Sequence, residues 1–267
     1  MSANNLSNPY FHPLPLLIGD MLAYLVFGVL LIQIYIYRIC FPRDSLAIKI
    51  LVYFVFLADA ICVLSDTFTV VGIASGPTDF LNSRHFKFLS VTTPFFGAFI
   101  VVFVQFFYCF RIVALRKTAR PIAVLIGLIA MAQFSAAMGW LILDSMGNSA
   151  HHTLFFYLYH VGGASADVLI AVTMAILLLN GSSLPQTRNV TQKIALLIVE
   201  TNALTTVLAL VSLLLFVCAP GTDYYLSSVT FLVGIYANTL LVMLNERAEM
   251  RFTSTNTVFT SSTSDSV

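Results

Sequence analysis

The stretch PFFGAFIVVFVQFFYCF, Pro94 to Phe110, carries no charge, and four cations follow it at once: Arg111, Arg116, Lys117 and Arg120. Extended back through Leu89 and forward to Leu115, it exceeds the roughly 20 helical residues needed to cross a bilayer core. The basic block then marks the side that stays in the cytoplasm. With this segment oriented, its neighbours must alternate around it.

Composition agrees with that reading. Charged residues make up 9% of the 267 and hydrophobic ones 59%, against about 25% charged in a soluble domain. Mean hydropathy is +0.92. Alternating barrel-type strands are absent, so the backbone has to satisfy its own polar groups inside helices. The expected class is an all-α integral membrane protein, a seven-transmembrane helix bundle. A net charge of +1 gives no reason to expect a nucleic-acid partner; the partners expected are the lipid bilayer, an unknown small-molecule ligand or ion, and a cytoplasmic partner.

The spans read from the sequence are Leu14 to Ile39, Leu46 to Ser75, Phe88 to Leu115, Pro121 to Leu143, Thr153 to Leu179, Ile194 to Cys218 and Tyr225 to Leu244. Gly, Pro and Asp punctuate the breaks: FPRD at Phe41 to Asp44, SGPTD at Ser75 to Asp79, NGSSLP at Asn180 to Pro185 and APGTD at Ala219 to Asp223. Asp44 or Ser45 is the expected N-cap of the second helix. The organisation is therefore an extracellular segment 1–13, a transmembrane domain 14–247 and a cytoplasmic tail 248–267. From Thr253 that tail is rich in Ser and Thr and too apolar-poor to fold, which predicts disorder. It serves either as a phosphorylation segment or as a spacer.

Cations decide the orientation. One side holds Arg84 and Lys87; the other holds Arg38, Arg43, Lys49, Arg111, Arg116, Lys117, Arg120, Arg188, Lys193, Arg247 and Arg251, which accounts for all 13. The bias predicts the N-terminus outside and the C-terminus in the cytoplasm, in the plasma membrane. Of the four cysteines, Cys40, Cys62, Cys109 and Cys218, only Cys218 falls at an outer end, so no disulfide is expected. Cys40 and Cys109 are either palmitoylated or simply buried thiols.

Five acids lie inside the spans, Asp20, Asp59, Asp66, Asp167 and Glu200, with no Lys or Arg at comparable depth. An ionised carboxylate there is costly, so each is protonated, water-facing in a cavity, or paired with a cation that is not a side chain, and none should face lipid. Asp59 and Asp66 are seven apart and share a helix face; His160 and Asp167 repeat that offset in the fifth span. Helix rise places Asp66, His160 and Asp20 in the outer part, Asp59 near the middle, and Asp167 and Glu200 in the inner half. Gln33, Gln105, Asn202, Asn238 and Asn245 lie near the inner acids in depth. Glu200 and Asn202, two apart, cannot share a face.

The functional reading is an outer ligand or ion pocket around Asp66 and His160, above an inner polar network that relays a change or holds a proton or Na+. The alternative is interhelical hydrogen bonding that fixes packing, at roughly 0.6 to 2 kcal/mol per contact. Gly162, Gly163, Ala164 and Ser165 read as a close-approach surface for a neighbouring helix. The aromatic run Phe106, Phe107 and Tyr108 reads as lipid-facing or core.

Several segments also carry a resemblance. FGVLLIQIYIY at Phe27 to Tyr37, FPRD with Lys49, VQFFYCFRI at Val104 to Ile112, SADVLIA at Ser165 to Ala171, VETNALTT at Val199 to Thr206 and YANTLLVMLNER at Tyr236 to Arg247 together resemble an uncharacterised seven-transmembrane family of mushroom-forming (basidiomycete) fungi. That family is a domain-of-unknown-function family, and the resemblance runs from Gly19 to about Arg247. It implies a seven-span bundle in a membrane and supplies no catalytic residue. Glu246 departs from that family's usual residue and reads as a local ion pair with Arg247.

Seven spans, a basic third-span exit and a Ser/Thr tail lead to a receptor-like protein or sensor with a polar intramembrane cavity. The third span ends in CFRI with no preceding acid, and no Lys in the seventh span could hold retinal. A proton- or cation-coupled transporter is the second reading, motivated by the uncompensated acids and weakened by missing repeats and broken helices. An intramembrane metal hydrolase is third, since zinc wants three or four converging ligands and His151, His152 and His160 are scattered. No enzyme activity, catalytic residue, cofactor or metal is assigned.

Overall fold

A computed structural model describes residues 14–75, 84–146, 152–181, 185–219 and 224–264. They form seven helices: α1 Leu14–Cys40, α2 Leu46–Ser75, α3 Arg84–Leu115, α4 Arg120–Ser145, α5 His152–Gly181, α6 Pro185–Cys218 and α7 Tyr224–Ser264, with a 3-10 turn at Lys117–Ala119 between α3 and α4. Among the described residues there is no strand. All seven helices are long and apolar enough to cross a membrane, which makes this an integral membrane protein. Large apolar side chains point outward, among them Leu25, Ile32, Leu57, Phe110 and Leu128. In water such a surface would be an aggregation liability; against lipid it is the expected exterior.

Each helix packs on its neighbours in the chain, and α7 returns to α1 to close the ring. Two helices also cross the middle: α7 reaches α2 and α3, and α3 reaches α5. The centre belongs chiefly to α7, whose membrane-length window is 72% buried, against 22% for α6 and 28% for α1. Around it sit Leu30, Tyr37, Ile100, Val104, Ile112, Met174 and Ile198.

The α1 and α7 seam is parallel and repeats every seven residues. Asn238 donates to the carbonyl of Val26 at 3.0 Å and Asn245 to that of Gln33 at 2.9 Å. On the N-terminal side of these ties the helices come close: a Cβ on Gly19 would sit 2.8 Å from the Cα of Ser227, and one on Gly234 3.0 Å from Val26 Cγ1. Glycine is required at both points by proximity of the neighbouring helix.

Helix α3 runs through Pro94. Proline removes the N–H that would bond four residues back, and α2 supplies polar hydrogens to the carbonyls on either side: Ser65 Oγ to Leu89 at 3.1 Å and Cys62 Sγ to Thr93 at 3.8 Å. Elsewhere hydroxyls bond their own helix, as Thr69 to Ser65 and Thr201 to Leu197, which suits a medium without water.

The backbone of α7 stays helical through Ser264, over the Ser/Thr-rich segment for which the sequence predicts disorder. Adding residues to an existing helix avoids the cost of nucleation. The side chains beyond Arg247 lie outside the described residues, as do residues 1–13 and 265–267.

Candidate functional site

Asp167 is the best-supplied of the intramembrane acids. It is 1% exposed, and its Oδ2 accepts from Thr205 Oγ1 of α6 and from Tyr236 OH of α7, both at 2.6 Å. Gln105 of α3 faces the same carboxylate and donates to Gln133 of α4 at 3.1 Å. The amide of Gln133 fills the space left by Gly162 and Gly163 of α5, so the glycine pair is a close-approach surface, toward α4; Ser165 is turned outward onto its own backbone. Four helices therefore meet α5 around one buried carboxylate.

The network extends toward the basic end. Tyr108 of α3 is 2% exposed, and Asn202 and Thr239 approach its hydroxyl. Arg111, one turn on, donates to the Met243 carbonyl of α7 at 3.4 Å. Beyond it Arg247 Nη2 pairs with Asp44 Oδ2 at 2.6 Å, lies over the Phe41 ring at 4.5 Å, and shares Asp44 with the Tyr37 hydroxyl. Asp44 is thus the ionic partner of α7, and Arg247 reaches past its neighbour Glu246 to meet it. Ser45, whose carbonyl accepts from the N–H of Lys49, takes the N-cap position of α2.

A second group of acids lies between α1, α2, α3 and α7. Asp20 is 3% exposed and Asp59 1%; each has a buried oxygen with no hydrogen-bond partner. Asp66 is half-buried, accepts from Thr93 Oγ1 at 2.7 Å and lies within electrostatic reach of both Asp20 and Asp59. Cys62 sits between the two α2 acids on the same face. Asp59 abuts Gly234 of α7, a Cβ there falling 3.5 and 3.7 Å from its oxygens.

His160 does not join Asp66. Its Nε2 lies 3.1 Å from Ser212 Oγ and its Nδ1 3.1 Å from the Phe156 carbonyl, and Phe156 stacks on it at 4.2 Å. The outer pocket expected around Asp66 and His160 is therefore replaced by Asp66 with Asp20 and Asp59 on one side and an aromatic box around His160 on the other. The seven-residue offset puts His160 and Asp167 on one face of α5, and that face meets α6 at Ser212 and Thr205, also seven apart.

Glu200 leaves the network altogether: it is exposed, while Asn202 is 4% exposed and donates to Ile198. The two cannot share a face, and α6 turns the amide inward. Glu200 lies four residues into the apolar part of α6, close enough to its end for the side chain to reach the interface. Gln33, Asn238 and Asn245 belong to the α1 and α7 seam rather than to the Asp167 network. Arg116, Lys117 and Arg120 are exposed beside the 3-10 turn, and Arg111 alone of the basic block turns inward.

Among the described residues no three His, Cys, Asp or Glu side chains converge closely enough to hold a metal ion; His151 and the side chain of His152 lie outside them. Cys62 is buried, Cys40 and Cys109 are half-buried and Cys218 is exposed, all as free thiols. The sequence reading missed Tyr236, Thr205, Tyr108 and the Asp44 to Arg247 pair. Single hydroxyls carry no spacing signal, and a loop acid gives no hint of a partner two hundred residues away.

A family of unknown function (DUF6534) matches residues 163–249. The matched segment holds Asp167, Thr205 and Tyr236 together with α7 as far as the ion pair. No curated protein and no solved structure matches the chain.

Proposed function

We propose that this protein is a receptor-like sensor without enzymatic activity, in which α7 is the element that carries a change through the membrane. One observation supports this: five contacts along the bundle end on α7, although His160 with Ser212 and Asp66 with Thr93 do not. Asp59 meets Gly234, Asp167 meets Tyr236, Tyr108 meets Thr239, Arg111 meets the Met243 carbonyl and Asp44 meets Arg247. A shift of α7 by a fraction of a turn would alter all five contacts at once, which is the property a switching helix needs. The stimulus in this reading is a small-molecule ligand or an ion reaching the acids of α1 and α2, and the response is a changed basic end presented to a cytoplasmic partner. The N-terminus lies outside and the C-terminus inside, in keeping with the cation bias.

A proton- or cation-coupled transporter is the second reading, supported by the unpartnered oxygens of Asp20 and Asp59. The two separate in vesicles. With purified protein in sealed liposomes under an imposed proton or sodium gradient, the sensor reading expects no flux above protein-free vesicles. Flux that disappears when Asp59, Asp66, Asp167 and Glu200 are replaced by amides would overturn it in favour of transport; flux that persists through those changes would remove both.

A further inference from the structure

We propose that Asp20, Asp59 and Asp66 form a proton-binding site, with Asp66 passing protons to the two less exposed carboxyls. The inference goes beyond the sensor reading and holds equally if the bundle transports.

Charge balance comes first. Among the described residues no Lys, Arg or His approaches these three acids; their surroundings are Thr93 and one another. The groups beside them on the packed helices are Cys62 on α2 and Thr93 on α3, while α7 presents Gly234 to Asp59. Tyr159 of α5 approaches Cys62. None of them is a cation. Carboxylates buried in this way must acquire positive charge or give up their own.

The unpartnered oxygens show where it goes. Asp20 Oδ1 and Asp59 Oδ2 are buried and accept nothing; Asp167 Oδ1 is bare as well, but its Oδ2 already holds Thr205 and Tyr236. An oxygen left bare inside the bundle is a place for something the protein chain does not itself supply.

Size then selects the proton. A calcium ion draws about six to eight oxygens around it, and the acids here do not converge into a metal-holding group. Beside Asp59, a Cβ added to Gly234 would already meet Val26 Cγ1 at 3.0 Å. One proton on one oxygen needs no such shell. Asp66 is the half-buried member and in this proposal the point of entry; an apolar crevice of about 370 Å³, bounded by Phe68, Val71, Gly72, His85, Phe88 and Leu89, lies at the same end of the bundle, opposite the basic block.

The test is infrared spectroscopy of the full chain in nanodiscs of neutral lipid at pH 7, with aspartate carrying a carbon-13 side-chain label. A carboxylic-acid carbonyl stretch that shifts with the label is expected in the wild type, with one component lost in Asp59→Asn and another in Asp20→Asn. Labelled carboxylate stretches alone, or an acid stretch that survives both substitutions unchanged, would overturn the proposal. So would acid bands appearing only when sodium and calcium are removed, which would make a metal ion the occupant. An acid stretch lost only in Asp167→Asn would belong to the other buried carboxyl and would likewise overturn the proposal.

Discussion

Asp59 and Asp167 are buried to the same degree, each 1% exposed, yet the bundle treats them in opposite ways. Asp167 receives Thr205 and Tyr236 at 2.6 Å and has Gln105 beside it. Each keeps one bare oxygen, Asp59 Oδ2 and Asp167 Oδ1, but beside Asp59 stands Gly234, which brings no donor side chain. A carboxylate given donors from separate helices ties those helices together. One left without donors contributes nothing to packing that a neutral residue would not, so its presence points to a ligand. Burial alone does not distinguish the two; the neighbours do.

The contrast breaks first under identical truncations. Asp167→Ala strands the Tyr236 hydroxyl in the core, where an unsatisfied buried donor costs about 1–3 kcal/mol, whereas Asp59→Ala removes a carboxyl that has no donor to lose. Unfolding in bicelles should show the first variant clearly less stable and the second unchanged or more stable; equal losses would erase the distinction. Next in size, Tyr236→Phe and Thr205→Val should each cost roughly 0.6 to 2 kcal/mol, and the double variant should cost less than the two together, since both serve one oxygen. Additive losses in that cycle would show that the hydroxyls do not share Asp167.

Smaller still is the ion pair at the basic end. Arg247 is 26% exposed and Asp44 9%, a partly solvated pair, for which about 1 kcal/mol is the expected ceiling. Asp44→Asn should therefore cost no more than that in thermal unfolding, and less as salt is raised; a loss of several kcal/mol would mean the pair is sealed from water. Last comes Glu200→Gln, an outward-facing change expected to stay within about 0.5 kcal/mol. A large loss there would place Glu200 back inside the network.

Much of the architecture was legible because lipid imposes a length. Seven apolar runs became seven helices, with Leu46 to Ser75 matching α2 at both ends. Seven-residue spacing also told which residues share a face: Asp59 with Asp66 and His160 with Asp167. It could not tell which helix that face would meet. His160 found Ser212 and Asp167 found Thr205 on α6, while the two asparagines found the backbone of α1. Partner choice depends on how the helices are arranged around the ring, and no local pattern in this chain encodes that. Tyr108 shows the same limit: as one of three consecutive aromatics it reads as filler, and only its burial beside Asn202 and Thr239 reveals the hydroxyl as part of the polar core.

Hydrogen exchange across the whole chain in lipid, wild type against Gly234→Val, tests most directly whether α7 transmits. The substitution presses on Val26 and Asp59 at one end of the seam. If α7 moves as one rod, exchange should rise at Leu241 to Arg247 and at Phe41 to Ser45, some 10 to 20 Å along the helix axis by its 1.5 Å rise. A rise confined to one turn around residue 234 and to the facing part of α1 would contradict the account.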